Sequence, residues 1–438
     1  MHKFLLFLIS SVFFFFVGCG SGATAPSLAL SGCSVDSQTT NTVTVATVPH
    51  TKASIPMLGI LVSYNNVQIT SSDSIWSHKL FGYNEHELNH YYKEVSNNQF
   101  HFVQATESNG THNDGIVSIH LNKDHPNSSN LSNFYLDLKN ALVNLNSYVD
   151  FSNYDSDANG KITPDELLLT FIIAGFEDAY ENHGHVTNGV WAHQYCMTES
   201  TNSPTLDSVS LMGCQNGGNF ALFGERHDIS DSHDATIGII AHELGHATFN
   251  LPDLYNMTQS KGGIGNFGLM GAGAWSYTVS DTYPGATPVH FSAWSKVYNK
   301  WITPTVHQGF VTLNETFSAG YNIEKISVNS NCYYLLENRN NSGYDRGLYS
   351  LGGNFQGGIA IWKIDNTKLT DSHFEHNDVN GDTQNKGVDL VEAKPSNIDS
   401  SAGSGHEFVL FYKGNVDSYE AKIANISQRG SSMSLNIN

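Results

Sequence analysis

The pentapeptide His242-Glu243-Leu244-Gly245-His246 lies inside an apolar stretch, Ala235 to Phe249, and constrains this chain more than any other feature. Helical spacing of the apolar residues makes the stretch a buried helix, and Asn250-Leu251-Pro252 turns the chain at its end. Residues four apart lie one turn apart on the same face, so both imidazoles can reach one metal ion. Glu243 is adjacent but angled differently, placed to hydrogen-bond a water rather than to ligate, which is the task of a general base. A site of this kind needs a third protein ligand. No Glu occurs between Glu243 and Glu315, which argues against a ligand from a following helix. Asp253, eleven residues after His242, is the leading candidate, with His290 and Asp281 as alternatives. Met270, flanked by glycines in Gly268-Leu269-Met270-Gly271-Ala272-Gly273, reads as a Met-turn beneath the metal.

The N-terminus sets the compartment. Met1-His2-Lys3 and the apolar run Phe4 to Val17 form a secretory signal over residues 1–19, too short to span a membrane. Phe16-Val17-Gly18-Cys19 is similar to a bacterial lipobox, with Phe16 where Leu is usual, so Cys19 is a lipidation candidate. Cleavage after Ala23-Thr24-Ala25 is the competing reading. Setting Cys19 aside leaves four of the five cysteines, which an oxidising compartment can pair. Cys196 and Cys214 close a short loop and are the disulfide candidate, while Cys33–Cys332 follows by elimination alone. The expected location is outside the cytoplasm, either released or lipid-anchored at a bacterial cell envelope. A lipid anchor would be the only membrane attachment.

A formal net charge of -20, from 21 Lys and Arg against 41 Asp and Glu, argues against nucleic acid as a partner. It suits sites for hard cations. Asp155-x-Asp157-x-Asn159-Gly160-Lys161, followed by Glu166, satisfies the twelve-residue calcium-loop pattern, with Lys161 contributing its carbonyl. A strand is expected next, so a bound calcium would be structural and the loop would lack the second helix of an EF-hand. Asp378, Asn380 and Asp382 form a less complete cluster that reads as a solvated loop.

Residues 20–52 are rich in Ser, Thr, Ala and Gly and read as a linker or short leader. Ile55 to Tyr64 and Leu167 to Ala174 are expected strands; Ser74 to Val95 and Leu131 to Val149 are expected helices. After about Pro304, short alternating segments such as Cys332 to Glu337, Gly358 to Ile364 and Glu407 to Tyr412 predict a β-rich region.

Several ordered blocks resemble the immune inhibitor A-type bacterial secreted zinc metalloproteases. They include the zinc helix with Leu251-Pro252-Asp253-Leu254-Tyr255, Gly263-Ile264-Gly265, Leu269-Met270 and Ser292-Ala293-Trp294-Ser295-Lys296. Leu336-Glu337-Asn338-Arg339, Gly358 to Asp365 and Val388 to Ala393 continue the likeness. The resemblance implies an α+β fold: a zincin (metzincin-like) catalytic domain at 53–305, then a β-rich C-terminal region at 306–438. It also implies zinc held by His242, His246 and Asp253, with Glu243 as the base that hydrolyses protein peptide bonds through a metal-activated water. The family usually spaces its Asp one residue closer to the first His and turns the helix end with Gly; here Asn250 stands in that turn. The rival readings are a non-catalytic cell-surface lipoprotein with a structural metal, and a metal hydrolase of another bond type.

Overall fold

The expected buried strand is β1 (Ser54–Tyr64) of a computed structural model that describes residues 44–46, 52–127, 131–180, 186–198, 203–256, 263–398, 403–420 and 422–438. The signal, Cys19 and Cys33 lie outside the described residues. Along β1, Ile55, Met57 and Leu61 face one apolar cluster, while Leu58, Ile60, Val62 and Tyr64 face another. This period-two pattern with both faces apolar is that of a strand buried between two layers.

β2 (His101–Gln104), β3 (Ile116–Leu121) and β4 (Leu168–Glu177) all run parallel to β1. β5 (Gly189–Val190) adds to β4, and β6 (His193–Tyr195) runs antiparallel to β9. A short hairpin, β7 (Thr205–Leu206) and β8 (Val209–Ser210), lies apart from this sheet. β9 (Phe220–His227) joins β4 in parallel, and β10 (His233–Asp234) pairs with β9. The sheet order is β10-β9-β4-β1-β2.

One face of the sheet is covered by α3 (Leu131–Leu145), through Phe134, Leu138, Ala141 and Leu142. The other face meets α1 (Asp73–Phe81), α2 (Leu88–Val95) and α4 (Ile237–Phe249). The segment expected as one helix from Ser74 to Val95 is therefore two. Gly82 caps α1 with an extended backbone, and His86 between the helices has φ 67. α3 also stops short of the expected Val149. Cys196 and Cys214 form a disulfide.

α5 (Ala293–Tyr298) packs on a four-stranded sheet of order β12-β13-β14-β15. Its strands are Glu324–Ser327, Cys332–Arg339, Gly358–Asp365 and Val388–Val391. Between β14 and β15 lies a short helix, α6 (Asp371–Glu375). β11 (Gly309–Asn314), β17 (Ser432–Ile437) and β16 (Ile423–Ala424) form a three-stranded sheet behind it. Glu407 to Tyr412, expected as a strand, makes only isolated bridges through Phe411 and Tyr412. Trp362 and Ile364 of β14 belong to the same apolar cluster as α4, whereas Ile359 and Ile361 face the three-stranded sheet. The cluster around α4 thus runs continuously from Ile55 to Leu410.

A buried ion network joins these parts. Arg339 donates Nε to Asp345 Oδ2 at 2.6 Å and Nη1 to the Phe267 carbonyl at 2.7 Å. Its Nη1 also lies 3.3 Å from Glu337, whose other oxygen takes Lys296 Nζ at 3.2 Å. Tyr321 and Trp362 donate to Glu337 as well. Burial alone would raise both carboxyls. Lys296 and Arg339 outweigh it at Glu337, and Arg339 does so at Asp345, holding both below their ordinary values.

Candidate metal centre

α4 places its histidines by a capped end. Asn250 takes the left-handed conformation (φ 52, ψ 34), and its N–H donates to the carbonyls of Gly245 and His246. Asn tolerates this region better than most residues, so it serves where a glycine is usual. The chain then reverses, Leu251 N–H donates to Gly245 O, and Asp253 returns toward the helix face.

Three atoms converge there. His242 Nε2 and His246 Nε2 lie 3.2 Å apart, and Asp253 Oδ1 is 3.2 Å from the first and 3.3 Å from the second. His242 Nδ1 sits 2.9 Å from the Leu269 carbonyl, and His246 Nδ1 2.5 Å from the Leu251 carbonyl. A carbonyl only accepts, so each Nδ1 carries the proton and each Nε2 presents a lone pair. Asp253 Oδ1 is buried and accepts no hydrogen bond. Three lone-pair atoms facing one another repel unless a cation lies between them. Ligands at about 2.0–2.1 Å from a tetrahedral zinc stand about 3.3–3.4 Å apart, which matches this triangle. The carbonyls behind each Nδ1 are the outer partners that fix ring orientation in such sites. The residues fit a metal ion.

Burial alone would raise the Asp253 carboxyl, but positive charge at His246 and His242 overcomes it and holds it far below the carboxylate range, and a cation seated between the three ligands would supply that charge while the imidazoles stay neutral. Burial pushes Glu243 up to about 8, with His242 opposing and Asp253 and Glu177 reinforcing. A cation between the three ligands would pull Glu243 back down, so its ionisation is coupled to metal occupancy. The Glu243 carboxylate accepts from the Gln194 backbone on β6, the antiparallel strand at the sheet rim.

A cleft of ≈ 860 Å³ opens over these groups, lined by His242, Glu243, His246 and Asp253 together with Trp191, His193, Gln194 and Tyr255. The Tyr255 ring stacks 6.4 Å from that of His242, and its hydroxyl lies beside Asp253, where burial first and the carboxylate second keep it protonated. Met270 lies under the helix: a Cβ added at Gly245 would stand 2.8 Å from its Sδ. The same turn binds both ligand segments, since Leu269 O takes His242 and Met270 O takes Leu254 N–H.

The alternative ligands point elsewhere. His290 Nε2 pairs with Glu94 at 3.0 Å, and Asp281 pairs with His86 at 3.2 Å. In the expected calcium loop, carboxylate oxygens of Asp155, Asp157 and Glu166 lie within 4.8 Å of one another. Asn159 turns its Nδ2 to Asp157 at 2.7 Å, and Lys161 forms a bridge with Ser210. Glu166 accepts from Ser156 and Thr163.

Sequence reasoning missed the contribution of the distal chain. Phe374, Glu375, Asn377 and Gly403 line the cleft, and no spacing signal links them to the zinc helix. Asn380, expected in a solvated loop, is fully buried and donates to the carbonyls of Leu254 and Val388. Asp378 and Asp382 beside it are exposed, as a solvated loop requires.

A family model described as the immune inhibitor A peptidase M6 catalytic domain matches residues 66–303, more than half of the chain. A comparison with curated proteins found no match. Among the described residues, no helix is long and apolar enough to cross a membrane.

Proposed function

The chain belongs to the immune inhibitor A family of M6 peptidases, and from that premise we propose that it is an exported zinc-dependent endopeptidase. The observation that carries the reading is the triangle of His242 Nε2, His246 Nε2 and Asp253 Oδ1, with edges of 3.2–3.3 Å and no hydrogen bond to the carboxylate oxygen. His242, His246 and Asp253 would hold zinc. When bound, zinc supplies Lewis acidity, polarising the scissile carbonyl and acidifying the attacking water. Glu243, held by the Gln194 N–H on the cleft wall, takes the proton from that water and passes it to the leaving amine. The hydroxyl of Tyr255, beside Asp253 and on a residue that lines the cleft, is the donor this reading assigns to the oxygen that becomes negative on attack. The Met270 turn supports the ligand set from below.

The catalytic unit is a zincin domain at 53–305, and a β-rich region at 306–438 supports it. Asp155, Asp157, Asn159, Lys161 and Glu166 form a structural calcium loop within the first. The protein acts outside the cytoplasm on proteins and peptides, once cleavage just before Cys19, at the end of the 1–19 signal, leaves that cysteine as its lipid anchor.

Casein hydrolysis tests the reading. Chelation should abolish activity, and added zinc should restore it where added calcium alone should not. Full activity after complete metal removal would overturn the proposal. So would inactivity of the mature zinc-loaded protein on every protein substrate tried.

A further inference from the structure

We propose that Asn377, far along the chain after α6, is a positioning residue that clamps Asp253 in its ligating geometry; this rests on the zinc reading above. The Asn377 amide meets Asp253 at two points. Its Oδ1 accepts from the Asp253 backbone N–H at 2.7 Å, and its Nδ2 donates to Asp253 Oδ2 at 2.6 Å. The amide orientation is unambiguous, because a flip would set oxygen against carboxylate oxygen and N–H against N–H. With Oδ2 and the main chain both fixed, Oδ1 is left bare and aimed at the two imidazoles.

Asn377 is itself held. It adopts φ 50, and its N–H donates to Phe374 O. Beyond it, Asn380 donates to Leu254 O at 3.0 Å, Asn256 donates to Gly381 O, and Lys386 Nζ donates to Gly263 O at 3.2 Å. These bonds sew the segment after α6 along the segment that carries Asp253. The arrangement answers a physical need. His242 and His246 are fixed by a buried helix, whereas Asp253 sits on a loop and needs restraint from outside its own segment. Outer partners of metal ligands contribute about 10–100-fold in affinity.

Zinc affinity of the full mature chain, measured by competition with a chromogenic chelator, tests this in wild type, Asn377→Gly and Asn377→Asp. Glycine keeps the left-handed backbone and removes the amide. Aspartate keeps the shape and the acceptor but sets a carboxylate against Asp253. Both should weaken zinc binding by about 10–100-fold, with Asn377→Asp the weaker, and both should alter the visible spectrum of the cobalt-substituted protein. Wild-type affinity and spectrum in a folded variant would overturn the clamp alone. A purely structural role would lower the thermal midpoint of the metal-free protein and leave both readouts unchanged. If Asn377→Gly does not fold, Asn377→Asp decides by the same criteria. A wild-type chain that binds no zinc would instead overturn the zinc reading, and the clamp with it.

Discussion

Glu243→Gln should lower kcat/KM for peptide hydrolysis by about 10²–10⁴-fold while leaving the metal in place. Glutamine has nearly the shape of glutamate and keeps an oxygen to accept the Gln194 N–H, but it cannot take a proton. It does not touch the triangle of His242, His246 and Asp253, so metal content should match wild type. Stability should not suffer. The carboxyl at position 243 is buried, and burial disfavours its charge, so a neutral amide of equal size removes a desolvation penalty. The thermal midpoint should equal or exceed that of wild type. Steady-state kinetics on a fluorogenic peptide, with metal analysis of the same samples, reads all three. Undiminished turnover would remove Glu243 from the chemistry.

Arg339→Ala should destabilise the fold by about 3–5 kcal/mol, because it leaves the buried Asp345 carboxylate without its paired cation and Glu337 with Lys296 alone. Both are fully buried, so solvent cannot substitute for the guanidinium. The loss should extend to the metal site. Arg339 Nη1 donates to the Phe267 carbonyl, two residues before Leu269, whose carbonyl orients His242. The variant should therefore unfold at lower denaturant and release zinc more readily. Chemical denaturation followed by tryptophan fluorescence, with and without added zinc, measures both. A change within about 1 kcal/mol would mean that the network does not brace the joint between α5 and the four-stranded sheet.

The sequence made the local part of this site legible and hid the remote part. Two histidines four apart on an apolar helix share one face through helical geometry alone, and their convergence with Asp253 follows from the Asn250 turn, which could be read from its tolerance of positive φ. Leu168–Glu177 and Ser54–Tyr64 were legible because β-branched and aromatic runs suit buried strands. Apolar spacing did not reveal the break between α1 and α2, since Trp76, Leu80, Leu88 and Tyr91 are all buried on one side of the sheet and continue the pattern across it. Asn377 was not legible at all. A hydrogen bond spanning more than a hundred residues leaves no periodicity, and an asparagine in an Asn-rich chain carries no signature. The same holds for Asn380, whose neighbours Asp378 and Asp382 look like solvent-facing residues and are exposed, while the amide between them is not.

The account stands on zinc at the triad, and the zinc content of the purified protein against that of His246→Ala is its most direct test. We predict one zinc per wild-type chain after exhaustive dialysis, and none in the folded variant. Retained stoichiometric zinc in His246→Ala, or a wild-type chain that takes up no zinc, would contradict it.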